Sequence, residues 1–203
     1  MNMKKTMGII SVMVLIMLNN VTGQGLKVGD KAPDFSLKSV NEQKISLNSL
    51  KDNKGAIVIF TCNHCPFSKA YEDRIITIDK TFRSQGYPVI AINPNDPVLS
   101  PEDSFEKMQE RSSEKGFPFA YVYDETQSVA KAYGATRTPH VYLLRMEGEN
   151  YVVKYIGAID DNVDEPENVK SKYLEDAVNQ LINDGKVALQ ETKAIGCTIK
   201  WKQ

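Results

Sequence analysis

A continuous apolar run that leads directly into two closely spaced cysteines most constrains the fold of this chain. Residues 55–60 read GAIVIF, which is typical of a strand buried on both faces of a sheet. The sequence CNHCP follows at 62–66, and apolar side chains then recur at helical spacing over 67–82. Because proline suits the first turn of a helix, we predict a strand, a Cys-x-x-Cys turn and a helix that begins at Pro66.

Alternating strand and helix patterns continue through the rest of the chain. Residues 34–38 and 44–47 flank a polar turn, which predicts an N-terminal β-hairpin. The later patterns predict strands at 87–92 and 117–123, helices that begin at Ser100 and Thr126, a hairpin of 140–145 with 151–156, and a closing helix at 171–182. Asp103 is assigned to the first turn of the helix that Ser100 caps. This order predicts an α/β fold with a mixed, mostly parallel central sheet covered by helices on both faces.

The first residues differ in composition from the rest. Two lysines precede a 12-residue, largely apolar stretch, Met7–Leu18, and small and polar residues follow it. This order is typical of a secretory signal peptide, and the stretch is shorter than the roughly 20 residues that a membrane-spanning helix needs. We therefore predict a signal peptide at 1–23, one domain at 24–203, and an exported protein that is periplasmic or secreted. A membrane anchor is the alternative interpretation.

The chain has three cysteines, Cys62, Cys65 and Cys197, which fits one redox pair and one odd thiol in an oxidising compartment. Disulfide exchange needs a thiolate, which a helix N-terminus favours. We predict that Cys62 is the attacking thiol, at the exposed edge of the site, and that Cys65 resolves the mixed disulfide. A protonated His64 would stabilise the Cys62 thiolate. Three roles are open for Cys197: a buried thiol, a disulfide link between molecules, or an extra redox partner.

A second motif, Thr138-Pro139, precedes the later hairpin, and together with CNHCP it resembles the layout of the thioredoxin superfamily over residues 29–186. The segment 28–37 (VGDKAPDFSL) is similar to the redoxin, or AhpC/TSA-like, branch. The resemblance implies a thioredoxin fold in which Pro139 is cis and faces the redox pair, while Thr138 contacts an extended substrate. It departs at Ala56, where many thioredoxins carry a buried proton-accepting acid.

These features predict a thiol–disulfide oxidoreductase that exchanges disulfides with protein substrates through a Cys62–Cys65 couple, with reduction as the favoured direction. The prediction requires no metal and no organic cofactor, and it implies an electron donor or acceptor that the sequence does not identify. A net charge of −1 gives no basic excess for nucleic acid. We expect a monomer whose substrates are protein disulfides or thiols.

Two other functions are alternatives. A thiol peroxidase would belong to the same superfamily, but neither Cys62 nor Cys65 is preceded by the Pro-x-x-x-Thr-x-x-Cys pattern of peroxiredoxins. A copper-delivery protein would bind the metal with Cys62, Cys65 and His140, because thiolates select Cu(I). A structural zinc site is disfavoured because it would need four ligands.

Overall fold

The computed structural model describes residues 25–183 and 185–203. The predicted signal peptide at 1–23 lies outside the described residues. Within the described ranges, none of the helices combines the length and apolar character needed to cross a membrane.

The secondary structure follows the predicted alternation. The strands are β1 (Ser36–Ser39), β2 (Lys44–Ser46), β3 (Gly55–Phe60), β4 (Val89–Asn93), β5 (Ala120–Tyr123), β6 (Arg137–Thr138), β7 (His140–Glu147), β8 (Asn150–Gly157) and β9 (Cys197–Thr198). The α-helices are α1 (Pro66–Phe82), α2 (Phe105–Lys115), α3 (Ser128–Tyr133) and α4 (Tyr173–Asn183).

The central sheet has seven strands in the order β2-β1-β5-β4-β3-β7-β8. β4 pairs in parallel with β3 and with β5. The other four pairs in this sheet, β1 with β2, β1 with β5, β3 with β7 and β7 with β8, are antiparallel. The mixed, thioredoxin-like fold is confirmed, whereas the expectation of a mostly parallel sheet is wrong. β6 and β9 form a separate two-stranded sheet.

β3 lies inside the sheet, and all six of its residues are buried. Ile57 and Ile59 face a core formed with α1, α2 and α4. Ala56, Val58 and Phe60 face a second core, formed with α3 and the segment around β1 and β2. Burial on both faces explains the unbroken apolar sequence of this strand, and it places the residues that follow β3 at the edge between the two cores.

The start of α2 differs from the prediction. Ser100 does not cap this helix, and residues 101–103 form a 3-10 turn instead. The N-cap is Ser104, whose hydroxyl accepts a hydrogen bond from the Lys107 backbone N–H at 3.3 Å. Ser100 donates its hydroxyl to Asp103 Oδ2 at 2.7 Å. Asp103 is therefore outside the helix, and its carboxylate is available to another part of the fold.

Folding stability is expected to decrease as the pH falls from about 6.5 to 4, because His140 is buried without charge. His140 is 9% exposed, and its Nδ1 atom has no hydrogen-bond partner among the residues that the structure describes. Burial lowers the pKa of this imidazole to about 4. The unfolded chain binds a proton below pH ~6.5, whereas the folded chain does so only near pH 4, which costs about 3 kcal/mol of stability across that interval.

His140→Phe removes this titration. The free energy of unfolding of the variant, measured in denaturant at pH 7 and pH 4, should therefore rise relative to that of the unmodified chain as the pH falls. A difference between the two proteins that is equal at both pH values would contradict the burial argument.

Candidate active site

The CNHCP turn connects the end of β3 to the start of α1. Cys65 is the N-cap residue of α1, with an extended backbone (φ −67°, ψ 124°), and Pro66 occupies the first turn. The Cys65 carbonyl accepts a hydrogen bond from the Lys69 N–H at 3.0 Å, which begins the helix. The fixed φ of proline favours a helix start at this point, so the local sequence places the cysteines at a helix N-terminus as predicted.

Thr138 contacts the sulfur atoms of both cysteines of this turn. Its hydroxyl lies 3.2 Å from Cys62 Sγ, and its carbonyl oxygen lies 3.3 Å from Cys65 Sγ. The Thr138–Pro139 peptide bond is cis, in agreement with the resemblance. The structure therefore brings together four of the residues predicted for the site: the two cysteines, Thr138 and Pro139.

Cys62 is less accessible than the sequence predicts. The residue is only 3% exposed, and Cys65 is fully buried. Besides Thr138, the Cys62 sulfur contacts Ser68 Oγ on α1 at 3.8 Å and His64 Nδ1 at 3.6 Å. Placement of Cys62 at the exposed edge is wrong, because Ser68 of α1 and Thr138 of β6 both pack against its sulfur.

Cys65 forms a disulfide with Cys197, and Cys62 is a free thiol. The Cα atoms of the bonded cysteines are 6.1 Å apart, within the usual range for a disulfide. The pairing follows from the register of β9 on β6, which sets Cys197 opposite Thr138. Spacing along the sequence gave no signal for a bond between residues 132 positions apart, and a Cys62–Cys65 bond stays a prediction.

Asp103 is a site residue that the sequence analysis assigned to a helix. Its buried carboxylate accepts hydrogen bonds from the backbone N–H groups of Asn63 at 2.6 Å and His64 at 3.2 Å. It also accepts from Asn95 Nδ2 at 2.8 Å and from Ser100. His64 Nδ1 lies 2.6 Å from Asp103 Oδ2. Asp103 therefore holds the backbone between the two cysteines. The sequence signal here was an acid three residues after Ser100, a spacing that predicted a helix start and not this contact.

Burial raises the pKa of the Cys62 thiol, and the negative charge of Asp103 raises it further. Hydrogen bonds from Thr138, the Cys65 backbone and Ser68 act in the opposite direction without reversing the shift. The result is opposite to the lowered pKa expected from the helix N-terminus and His64. The Asp103 charge cannot be placed at the turn from sequence, because the contact of Asp103 with His64 spans 39 residues. The role of His64 stays a prediction.

The donor atoms of Cys62, His64 and Asp103 lie within 4.8 Å of one another and could hold a metal ion. Three ligands are one fewer than a structural zinc site uses. Across residues 25–183 and 185–203, His140 is in no such cluster, and its ring instead packs on Tyr142 with centroids 4.9 Å apart. The geometry therefore gives no support to the copper site of Cys62, Cys65 and His140.

The cavity beside Cys62 is small. Its volume is about 10 Å³, and its walls include Thr61, Ile75 and Tyr121. This volume is close to the minimum for a single water molecule. A larger cavity of about 720 Å³ is lined by residues such as Phe35 and Tyr133 and by no cysteine. Neither of these two cavities has room for a substrate beside the cysteines.

Comparison with known proteins identifies related sequences. The sequence model of the AhpC/TSA family matches residues 28–161. The thiol-disulfide oxidoreductase ResA of Halalkalibacterium halodurans is 27% identical over 139 residues, which is 68% of this chain and 74% of that protein. ResA of Geobacillus kaustophilus is 30% identical over 125 residues, which is 60% of this chain and 66% of that protein.

Two solved structures match a larger share of this chain than the ResA sequences do. An uncharacterized conserved protein from Geobacillus kaustophilus has a TM-score of 0.79 and 35% identity, covering 87% of this chain and 93% of its own. A hypothetical protein from Sinorhizobium meliloti has a TM-score of 0.81 and 31% identity, covering 88% and 97%. A putative thiol:disulfide interchange protein DsbE from Chlorobium tepidum has a TM-score of 0.54 and 20% identity over 65% and 85%, a likeness of fold alone.

Proposed function

This chain belongs to the AhpC/TSA family, and we propose that it is a thiol–disulfide oxidoreductase acting on protein disulfides or thiols. The observation that carries the proposal is the contact of Thr138 with both sulfurs of the Cys-x-x-Cys turn. Grouped cysteines at a helix N-terminus provide both an attacking and a resolving thiol. The names of the ResA relatives support the same chemistry.

In the proposed reaction, the Cys62 thiolate attacks a substrate disulfide and forms a mixed disulfide. Cys65 then attacks the Cys62 sulfur, which releases the substrate as a dithiol and leaves a Cys62–Cys65 disulfide. An electron donor of the thiol class returns this disulfide to the dithiol. His64 Nδ1 lies 3.6 Å from the Cys62 sulfur and 2.6 Å from Asp103 Oδ2. Because a carboxylate only accepts hydrogen bonds, Nδ1 donates its N–H to Asp103 and is not free to receive the Cys62 proton.

We further propose that the protein is a monomer outside the cytoplasm and that it works as a reductase. The signal-peptide pattern at 1–23 and the Cys65–Cys197 disulfide support export, because disulfides persist mainly in oxidising compartments. Whether the protein reduces or oxidises its substrates depends on the reduction potential of the cysteines relative to that of their compartment.

Peroxide reduction has less support from the geometry. The polar side chains that contact the Cys62 sulfur belong to His64, Ser68 and Thr138. Arg137, the cation nearest to the site in sequence, donates from Nη1 to the Gly196 carbonyl at 2.9 Å. A hydrogen-bonded arginine that faces the tail does not polarise a peroxide at Cys62.

Reduction of a protein disulfide tests the proposal directly. The purified chain is expected to accelerate the reduction of insulin by dithiothreitol, and Cys62→Ser should return the rate to that of dithiothreitol alone because the attacking sulfur is lost. Hydrogen peroxide serves as the competing substrate under the same conditions. Faster turnover of peroxide than of insulin, or full insulin activity in Cys62→Ser, would contradict the proposed function.

A further inference from the structure

The C-terminal segment 196–199 lies against the redox site as an extended strand. β9 pairs antiparallel with β6, so that Cys197 lies opposite Thr138. The Ile199 N–H donates to the Thr136 carbonyl at 3.3 Å. The backbone next to Thr138, where the resemblance places an extended substrate, is therefore paired with the chain's own tail.

Gly196 permits this close approach. A β-carbon at this position would overlap the carbonyl oxygen of Thr138 and crowd the nitrogen of Pro139. Both obstacles are backbone atoms, which cannot rotate away as a side chain does. The tail can therefore lie on Thr138 only with a residue at 196 that has no side chain.

All three cysteines meet at Thr138. Cys62 and Cys65 contact its hydroxyl and its carbonyl oxygen, at 3.2 Å and 3.3 Å. Cys197 lies opposite it in the strand pair and is bonded to Cys65. Cys62 and Cys65 are buried, whereas Cys197 is partly exposed. A free thiol thus lies beside a disulfide, which is the arrangement that thiol–disulfide exchange requires.

We propose that Cys197 is a third redox-active cysteine, and that one disulfide passes between Cys65–Cys197 and Cys62–Cys65. This inference rests on the proposed function. The Cys62 thiolate attacks Cys65 Sγ, the Cys65–Cys197 bond breaks as the Cys62–Cys65 bond forms, and Cys197 leaves as a thiolate. Cys197 then takes up a proton in place of the one that Cys62 lost. The exchange has no net oxidation and needs no outside oxidant or reductant.

The tail is anchored beyond Cys197, which keeps the released thiol close to the site. The Lys200 N–H donates to Asn95 Oδ1 at 2.9 Å, and its carbonyl accepts from the Asp96 N–H at 3.0 Å. The same carbonyl accepts from Gln127 Nε2 at 2.7 Å, and Ile199 is 4% exposed. Because Cys197 stays tethered within reach, the exchange is unimolecular and reversible.

Disulfide mapping on the full chain tests the relay. The protein is equilibrated at several ratios of reduced to oxidised glutathione, quenched with acid, alkylated and mapped by mass spectrometry. The unmodified chain should show both Cys65–Cys197 and Cys62–Cys65, in a ratio that is independent of protein concentration and of the glutathione ratio. Cys62→Ser should form only Cys65–Cys197, and Cys197→Ser should form only Cys62–Cys65.

A substitution at Gly196 tests whether the position of the tail on Thr138 determines which disulfide forms. Gly196→Val should lower the ratio of Cys65–Cys197 to Cys62–Cys65 by about tenfold, the change that 1.4 kcal/mol produces, because the added side chain pushes the strand off Thr138. Ile195→Ala is the matched control, since Ile195 is 53% exposed. It should leave the ratio unchanged.

The outcomes separate this inference from the proposed function. If Cys197 is always alkylated while Cys62–Cys65 forms and insulin is reduced, the relay is wrong and the proposed function stands. If Cys65–Cys197 forms but Cys62 is alkylated at every glutathione ratio, the disulfide is a fixed crosslink and the relay is again wrong. In that case Cys197→Ser decides the function, which fails if this variant forms no Cys62–Cys65 bond and reduces no insulin.

Discussion

Replacing Cys65 by serine is expected to lower protein-disulfide turnover on the order of a thousandfold and to prevent both intramolecular disulfides. Cys65 is bonded to Cys197 in the structure and is the resolving partner of Cys62 in the proposed reaction. Without it, a mixed disulfide at Cys62 has no neighbouring thiol on α1 to release the substrate. The measurement is insulin reduction together with mass detection of the substrate–Cys62 mixed disulfide, which should accumulate.

The same substitution also removes a crosslink that spans 132 residues. Under oxidising conditions we expect Cys65→Ser to lose roughly 3–5 kcal/mol of unfolding free energy. Cys197→Ser is the matched control, because it loses the same crosslink and keeps the Cys62–Cys65 pair. Equal destabilisation of the two variants with turnover lost only in Cys65→Ser separates the chemistry from the stability. Turnover that survives in Cys65→Ser would show that Cys65 does not resolve the mixed disulfide.

Replacing Asp103 by asparagine is expected to destabilise the fold and to lower the pKa of the Cys62 thiol. The buried carboxylate accepts backbone hydrogen bonds from Asn63 and His64 with one oxygen and contacts Ser100 and the His64 ring with the other. An amide has one oxygen, so some of these donors lose their partner, at a cost of about 2–4 kcal/mol.

The direction of the pKa change follows from charge. The Asp103 carboxylate opposes formation of the Cys62 thiolate, so its removal favours the thiolate and moves the pKa down. The pH dependence of Cys62 alkylation measures this change. Asp96→Asn is the matched control, because Asp96 is also buried and accepts a hydrogen bond from the Val98 N–H at 3.1 Å, while the carboxylate that raises the pKa of Cys62 is that of Asp103. An unchanged or higher pKa in Asp103→Asn would refute the electrostatic argument.

Local features of the site could be predicted from the sequence. The apolar run of β3, the proline after Cys65 and the helical periodicity of α1 are all contained within 28 residues, 55–82. The strand-to-helix junction that holds the cysteines is formed by residues that are close together in the sequence, so local patterns are enough to predict it. The cis bond before Pro139 followed from a resemblance rather than from local chemistry.

Contacts between distant segments could not be predicted in the same way. The Asp103 carboxylate reaches the CNHCP turn across 39 residues, and Cys197 reaches Cys65 across 132. Neither Asp103 nor Cys197 lies in a periodic pattern or at a spacing that would identify the residue it contacts. The raised pKa of Cys62 was missed for the same reason, since burial and the Asp103 charge both come from tertiary packing.

The 132-residue separation of Cys65 and Cys197 also sets an order of events during synthesis. At about 5–20 residues per second, a ribosome needs on the order of ten seconds after making Cys65 to reach Cys197. A nascent chain therefore carries the Cys62–Cys65 pair before its third cysteine exists. The Cys65–Cys197 bond can form only after residue 197 has been added, so its presence reports that translation has passed that residue.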